Sequence, residues 1–274
     1  MRTELSNIER IKGGGQKMVY TAKHLIHGDV VLKEIHATLD ALDRTKREII
    51  AVEILGSRNV PKILAHNCEE DQPNPIWLVE QRISGSNLRD LLLSGRRFTT
   101  PEVVSLLTTL LDIAVQSEQH GLVHRDIKPE NIMLDHNGKF WLLDFGIVRH
   151  LTLESITATN SPFGLFTVGY ASSEQFRNLK SDIDIRSDLF SVGVVCHELV
   201  QGENFYLKDS NNDVMRVLKK LESSAIPRSR INGDPQFLLS AFIGLLGDHR
   251  RFRRPRTAVE ARKILDSIIP TLNI

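Results

Sequence analysis

The chain has 274 residues, of which 41% are hydrophobic and 25% are charged, and its formal net charge at pH 7 is +1. This composition is that of an ordinary globular protein, and so small a net charge creates no overall field that would attract nucleic acid or an anionic membrane. Its two cysteines, Cys68 and Cys196, stand far apart without a CxxC motif. They exclude a disulfide framework and suit a reducing compartment.

No segment of the sequence predicts export or membrane insertion. The N-terminal stretch MRTELSNIERIK is charged and lacks the apolar core of a signal peptide. The longest apolar run, near residues 189–200, is interrupted by His197 and Glu198 and is shorter than the roughly 20 residues of a membrane span. We therefore expect a cytoplasmic protein without a membrane partner.

The start of the chain predicts three antiparallel strands. Residues 8–35 alternate in hydrophobicity, and GGG at 13–15 and HGD at 27–29 supply the turns. The third strand ends in VVLK at residues 30–33.

Two helices and a strand are predicted in the next part of the chain. Apolar residues recur at helical spacing from Asp40 to Leu55, and IWLV at 76–79 predicts a strand. TTPE at 99–102 is typical of a helix start, so we expect a helix from there to about Gln119.

His120 and His124 are four residues apart and could suggest a zinc pair. Gly121 stands between them and breaks any shared helix face, which disfavours that interpretation.

The densest group of chemically active side chains lies in LVHRDIKPENIMLDHNGKFWLLDFG at residues 122–146. Two short apolar runs in it flank the turn residues DHNG and predict a hairpin. Such a hairpin would bring Asp126, Asn131 and Asp144 to one end of a small sheet. Their oxygen atoms suit Mg²⁺, which prefers a few carboxylates plus substrate phosphates to an all-protein cage.

HRDIKPEN at 124–131, followed by DFG at 144–146, resembles the catalytic core of eukaryotic-type (Hanks-type) serine/threonine protein kinases, whose pattern is H-R-D-L-x-x-x-N and then D-F-G. VVLK resembles the V-A-I-K strand of the same family, with Val31 in place of alanine. A lone HRD would be weak evidence, whereas this order and spacing is specific. The resemblance covers nearly the whole chain.

The fold that this resemblance implies is α+β and two-lobed, a protein kinase-like fold. A small antiparallel-sheet N-lobe carries a C-helix, and a larger C-lobe is mainly helical. Residues 1–274 then form a single catalytic domain, with the N-lobe and the start of the hinge at 1–81 and the C-lobe at 82–274.

The resemblance implies ATP as the nucleotide and places Lys33 on its α- and β-phosphates. We choose Glu48 over Glu53 as the partner of Lys33, because REIIAVEIL…VPKIL resembles the family's C-helix and the strand after it. The hinge then begins at Glu80, which puts Val79 at the gatekeeper position.

The glycine-rich loop departs from the family's G-x-G-x-x-G-x-V. With Val19 as its valine, Lys12 and Lys17 replace two of the glycines and only Gly14 matches. Matching Gly13 and Gly15 instead puts Tyr20 at the valine. The complete ATP-binding set that we expect is Gly13, Gly14, Gly15, Val19, Val31, Lys33, Glu48, Glu80 and Met133.

The implied reaction is transfer of the ATP γ-phosphoryl group to serine or threonine hydroxyls of a protein substrate. Asp126 would accept or orient the hydroxyl proton, and Lys128 would neutralise charge on the moving phosphoryl group. Asn131 and Asp144 would hold Mg²⁺, with Mn²⁺ as the alternative ion.

Residues 144–174 resemble the activation segment of the family, in which Thr167 contacts the catalytic aspartate. Arg125 would pair with a phosphate on this segment, so we expect regulatory autophosphorylation between residues 152 and 161 through a transient dimer. The candidate acceptors are Thr157, Thr159 and Ser161.

Three further residues have implied structural roles. The family's A-P-E reads SSE here, which keeps Glu174 and loses the proline. Asp188, in the predicted apolar helix 187–199, would anchor the HRD backbone. Arg254 stands in HRRFRRPR at 249–256, which could also be a nucleic-acid patch. We favour a buried arginine paired with Glu174, because the family places one just before a helix of this kind.

Two rival functions remain at this point. A small-molecule phosphotransferase of the same broad fold would share the H-x-D-x-x-x-x-N core, but such enzymes lack the set of Lys128, residues 167–174 and Arg254. A kinase-like binding module would explain the altered glycine loop and SSE. The complete set of chemical residues argues against it.

Overall fold

The computed structural model describes residues 4–14, 17–56, 59–69, 74–145, 149–150, 167–211 and 213–274. The chain divides into two compact units, an N-terminal unit of residues 1–84 and a C-terminal unit of residues 85–274.

In the described part of the N-terminal unit, five strands form one antiparallel sheet in the order β1-β2-β3-β5-β4. The strands are β1 (Leu5–Gly14), β2 (Lys17–His24), β3 (Gly28–Ile35), β4 (Ile63–His66) and β5 (Ile76–Gln81). The turn between β2 and β3 is closed by the His24 ring, whose Nδ1 accepts hydrogen bonds from the backbone N–H groups of Ile26 and His27. The three-stranded start predicted from the sequence is confirmed.

Helix α1 (Leu39–Leu55) packs on this sheet. The Thr38 side chain caps its first turn, and Gly56 ends it with a positive φ of 50° that a glycine adopts without strain. Ile49 of α1 packs with Cys68 and Ile76 in a small core. This contact puts the inward face of α1, which also carries Glu48, against the sheet.

The C-terminal unit is mainly helical. Its helices are α2 (Leu88–Leu93), α3 (Thr100–Gln119), α4 (Ser173–Phe176), α5 (Ile185–Gln201), α6 (Val214–Ser223), α7 (Leu238–Leu246) and α8 (Ala258–Ile268). Its described strands are β6 (Gly85–Asn87), β7 (Leu122–Val123), β8 (Ile132–Asp135), β9 (Phe140–Leu142) and β10 (Arg149–His150). The α+β class expected from the sequence is confirmed.

Helix α5 lies at the centre of the C-terminal unit, between α3 and α7. Nearly all its residues are buried, among them the polar residues Asp188, His197 and Glu198, which is typical of a helix in the core of a folded unit. Gly193 permits this packing, because a Cβ there would lie 2.4 Å from the backbone nitrogen of Gly247 at the end of α7.

The expected hairpin of the catalytic stretch is confirmed as β8 and β9, which pair Ile132 with Leu142. β6 adds a third strand to it, and Gly85 lets the two backbones approach, since a Cβ would lie 2.1 Å from the Leu134 carbonyl oxygen. None of the described helices is long and apolar enough to cross a membrane.

Candidate active site

Helix α5 holds the backbone of the HRD segment (residues 124–126) through the side chain of Asp188. The carboxylate of Asp188 accepts hydrogen bonds from the backbone N–H of His124 at 2.7 Å and of Arg125 at 2.8 Å. Arg125 has a φ of 70°, a left-handed conformation that needs such support. Burial raises the pKa of Asp188, although the neighbouring His124 and both N–H groups oppose the rise. Gln175 of α4 adds a hydrogen bond to the Arg125 carbonyl oxygen at 3.0 Å.

Asp126 lies at the centre of a polar group that we call the Asp126 cluster: Asp126, Lys128, Asn131 and Thr167. Lys128 Nζ lies 2.9 Å from Asp126 Oδ1, and Thr167 Oγ1 donates to the same oxygen at 2.7 Å. Lys128 also donates to the Thr167 hydroxyl at 2.8 Å. Asn131 Nδ2 donates to Asp126 Oδ2 at 2.9 Å. One carboxylate is thus held by an ammonium, a hydroxyl and an amide, which fixes its orientation.

Asn131 and Asp144 lie at the same end of the β8–β9 hairpin. The backbone N–H of Leu143, next to Asp144, donates to the Asn131 carbonyl oxygen at 2.8 Å. Asp144 has a φ of 61°, and the ring of Phe145 after it packs edge-on against the His124 ring at 4.5 Å. The Asn131 amide donates through its nitrogen, so its oxygen is the atom that it can offer to a cation. This amide oxygen and the Asp144 carboxylate fit a hard divalent ion.

A second polar group lies in the N-terminal unit, and we call it the Lys33 cluster: Lys33, Glu48 and Glu80. Lys33 Nζ lies 3.0 Å from Glu48 Oε1 and 2.5 Å from Glu80 Oε1. The structure brings Lys33 together with Glu48, whereas Glu53 is exposed on α1.

The gatekeeper assignment to Val79 is wrong. β3 and β5 pair Leu32 with Val79 and Lys33 with Leu78, so Val79 points to the face opposite Lys33. There it packs with Val30 and Leu32 in a buried core. Glu80 is the residue whose side chain shares the face of Lys33. Strand alternation places Leu78 and Glu80 on one face and Val79 on the other, but only the β3–β5 register shows which of these faces carries Lys33.

The other residues expected to bind the nucleotide lie on several different strands, or outside the described residues. Val19 lies opposite Lys33 in the β2–β3 register, while Tyr20 packs against the core on the other face, which favours Val19 over Tyr20 as the loop's valine. The Gly13 and Gly14 backbones pair with Met18 and Lys17. Val31 pairs with Glu80 and Met133 with Trp141, and both are half-buried. Gly15, Thr157, Thr159 and Ser161 lie outside the described residues.

Glu174 and Arg254 form a buried ion pair. Arg254 Nη1 lies 2.6 Å from Glu174 Oε1, and Arg254 is only 2% exposed. Its guanidinium also donates to the Asp248 carbonyl oxygen at 2.7 Å and lies 4.8 Å from the centre of the Phe190 ring. Burial would raise the pKa of Glu174, but the charge and hydrogen bonds of Arg254 outweigh it and hold that pKa below its usual value.

Three other arginines of the C-terminal region form ion pairs, while Arg253 and Arg256 are exposed. Arg250 pairs with Asp248, Arg251 with Asp184 and Arg262 with Asp112. These pairs disfavour a nucleic-acid patch. The two histidines that could suggest zinc each bond a backbone carbonyl instead: His120 to Gln116 and His124 to Leu143.

Sequence reasoning missed an ion network around Arg89 of α2. Arg89 lies 2.7 Å from Glu130 and 2.8 Å from Glu198 and also contacts the Tyr170 hydroxyl, which donates to Glu198 at 2.5 Å. Burial and the nearby Glu198 raise the pKa of Tyr170 well above its usual value. The partners of Arg89 stand 41 to 109 residues away in the chain, and no local pattern could reveal them.

Comparison with known proteins identifies the family of this chain. The protein kinase domain family matches residues 6–252. The chain is 32% identical over 261 residues to the serine/threonine-protein kinase PknB of Mycolicibacterium smegmatis, which covers 91% of this chain and 40% of that protein. It is 35% identical over 236 residues to the serine/threonine-protein kinase PknL of Mycobacterium bovis, with coverage of 83% and 57%. A probable serine/threonine-protein kinase PknB of Lactococcus lactis is 30% identical over 235 residues, with coverage of 84% and 36%.

The chain thus spans between about a third and three fifths of the length of these relatives. The match of the family over most of the chain, together with relatives of this similarity, shows its membership. The chain belongs to the Hanks-type serine/threonine protein kinase family.

Proposed function

We propose that this chain transfers the γ-phosphoryl group of ATP to serine and threonine hydroxyls of protein substrates, itself included. The observation that supports this most is the Asp126 cluster. Its carboxylate is oriented by Lys128, Thr167 and Asn131, and an oriented carboxylate is what a hydroxyl nucleophile requires.

Each residue then has a role in the reaction. Asp126 accepts or orients the proton of the substrate hydroxyl, and Lys128, at 2.8 Å from Asp126 Oδ2, offsets negative charge on the transferred group. Lys33, held by Glu48, binds the α- and β-phosphates.

The metal would be Mg²⁺, with Mn²⁺ as a substitute, and Asn131 and Asp144 would hold it. When bound, the ion offsets the negative charge of the phosphates. The Asn131 oxygen and the Asp144 carboxylate would supply hard ligands, and the substrate phosphates would supply others.

Autophosphorylation within residues 152–161, through a transient dimer, regulates the activity. Arg125 would receive the phosphate, because a guanidinium binds phosphate oxygens in a bidentate manner. Mass spectrometry before and after phosphatase treatment tests this, and an unmodified segment in a fully active protein would contradict it.

The rival functions fit the structure less well. The hydrogen bond of Lys128 to Thr167 and the pair of Glu174 with Arg254 belong to the set that small-molecule phosphotransferases lack. A binding module without catalysis has no need for an acid held by three donors.

The decisive experiment is incubation with labelled ATP and a generic basic protein. We expect transfer by the parent and a loss of about 10²–10⁴-fold in Asp126→Asn, because the general base is removed. Nucleotide affinity should stay near the parent value, since Asp126 acts on the acceptor. Asp43→Asn, an exposed aspartate on α1, is the matched control and should keep parent activity. Equal turnover by Asp126→Asn and Asp43→Asn would refute the proposal.

A further inference from the structure

The carboxylate of Glu80 contacts Lys33 in addition to that of Glu48. Lys33 Nζ is nearer to Glu80, at 2.5 Å, than to Glu48, at 3.0 Å. The side chains are 8% exposed for Lys33, 4% for Glu48 and 13% for Glu80, so bulk water screens none of them well. One ammonium therefore faces two carboxylates, and the charges do not cancel when both are ionised.

The two carboxylates reach Lys33 from different elements. Glu48 comes from helix α1, whereas Glu80 comes from β5, the strand next to β3 in the sheet. The register pairs Val31 with Glu80 and Lys33 with Leu78, so Lys33 and Glu80 are diagonal neighbours on one face. The sheet itself thus keeps Glu80 within reach of Lys33, whatever the position of α1.

The charge of Glu80 is poorly compensated. Burial raises the pKa of Glu80, Lys33 opposes the rise, and the nearby Glu48 adds to it. Lys17 of β2 also acts on Glu80 and slightly favours its ionised form. An anion that approached Lys33 would meet an ammonium already shared between two negative groups.

We propose that the Glu80 carboxylate competes with nucleotide phosphate for Lys33 and so lowers the affinity of the protein for phosphorylated nucleotides. This rests on the proposed function, in which Lys33 binds the phosphates of ATP. A phosphate oxygen that contacts Nζ either displaces Glu80 or brings a third negative charge to one ammonium. Glu48 also holds Lys33, at 3.0 Å, so in this proposal Glu80 sets the affinity for phosphate rather than the position of Lys33.

The experiment measures dissociation constants for ADP with Mg²⁺ and for adenosine, by calorimetry on purified variants. Glu80→Gln removes the charge and keeps the shape, and we expect it to bind ADP about tenfold more tightly than the parent. Its adenosine affinity should equal the parent value, because adenosine carries no phosphate. Glu53→Gln, an exposed glutamate on α1, is the matched control and should leave both constants unchanged.

Lys33→Met separates this proposal from the proposed function. If Lys33→Met weakens ADP binding while Glu80→Gln leaves it unchanged or weaker, competition is refuted and the phosphate role of Lys33 stands. If Lys33→Met keeps the parent affinity for ADP, the phosphate role of Lys33 fails and the competition with it.

Equal tightening for ADP and adenosine would also overturn the proposal, because Glu80 would then act on the base or the ribose. If Glu80→Gln lacks a cooperative melting transition, Glu80→Met serves instead. It carries no charge and no buried polar group, and the same outcomes apply to it.

Discussion

The two candidate clusters of this chain differ in how their charges are balanced. In the N-terminal unit one ammonium, Lys33, is shared by two carboxylates, whereas in the C-terminal unit one carboxylate, Asp126, is shared by an ammonium, a hydroxyl and an amide. The first arrangement leaves excess negative charge beside a group proposed to bind phosphate. The second surrounds a carboxylate with one cation and two further hydrogen-bond donors, which fixes its orientation.

The supports of the two clusters differ as well. Lys33 and Glu80 are held by neighbouring strands, so ordinary sheet pairing sets their distance. The Asp126 cluster stands on irregular backbone, which depends on buried polar anchors such as Asp188. A cluster on a sheet should therefore tolerate loss of one anchor better than a cluster on a loop.

Removal of Arg254 should destabilise the C-terminal unit more than loss of any exposed arginine near it. Arg254→Ala leaves Glu174 buried without its cation, and such a loss typically costs about 3–5 kcal/mol of unfolding free energy. Arg253→Ala, one residue away and exposed, is the control and should cost little. Denaturant unfolding of both variants checks this, and equal small losses would mean that the ion pair contributes nothing beyond a surface contact.

Replacement of Lys128 and of Lys33 by methionine should change different kinetic constants. Lys128→Met removes charge stabilisation of the transferred group, so we expect kcat to fall by about 10²–10³-fold with little change in the KM for ATP. Lys33→Met should raise the KM for ATP, because Lys33 is proposed to contact the phosphates before transfer. Steady-state kinetics at varied ATP concentration test this. If both substitutions changed the same constant, the two clusters would not have separate roles.

The sequence predicted those parts of the molecule that depend on local periodicity and short spacing. The opening strands, the β8–β9 hairpin and the helix from Thr100 follow from alternation, turn residues and a capping box. The choice of Glu48 over Glu53 succeeded in placing Glu48 beside Lys33, because it drew on a pattern spanning a helix and a strand.

Other features were beyond local patterns. The face of the sheet to which the Val79 side chain points depends on the register between β3 and β5. Placing the start of the hinge at Glu80 in the sequence does not determine that register. The Arg89 network joins α2 with distant segments, and the contact of Gly193 with Gly247 depends on how two helices cross. Such contacts are set by tertiary packing, and no short motif reports them.

The pH response should distinguish two buried groups with shifted pKa values, His197 in the C-terminal unit and Glu80 in the N-terminal unit. Burial lowers the pKa of His197 from 6.5 to about 4, so stability is lost as the pH falls through this range, by up to about 3 kcal/mol. Burial instead raises the pKa of Glu80. The stability that protonated Glu80 contributes is therefore lost as the pH rises through that raised pKa.

His197 is the cleaner of the two groups to test, because neither of its ring nitrogens has a hydrogen-bond partner among the described residues. His197→Leu should flatten the loss of unfolding free energy between pH 6.5 and about 4. His136→Leu, in an exposed turn, is the control and should keep the parent slope. An unchanged slope in His197→Leu would mean that other groups cause the acid response.

The smallest expected effect concerns the helix that carries Asp188. A Cβ on Gly193 of α5 would lie 2.4 Å from the Gly247 nitrogen, whereas a Cβ on Gly244 of α7 would lie 3.5 Å from the Ile226 carbonyl oxygen, an ordinary contact. Gly193→Ala should therefore cost about 1–3 kcal/mol of unfolding free energy through overpacking, while Gly244→Ala should gain up to about 1 kcal/mol from the helix propensity of alanine.

Because Asp188 lies on the same helix as Gly193, a displaced α5 would also move the HRD backbone, and kcat should fall in Gly193→Ala alone. Unfolding and kinetics of this pair of variants test both statements. Similar stability and activity in the two variants would show that α5 and α7 can separate without disturbing Asp126.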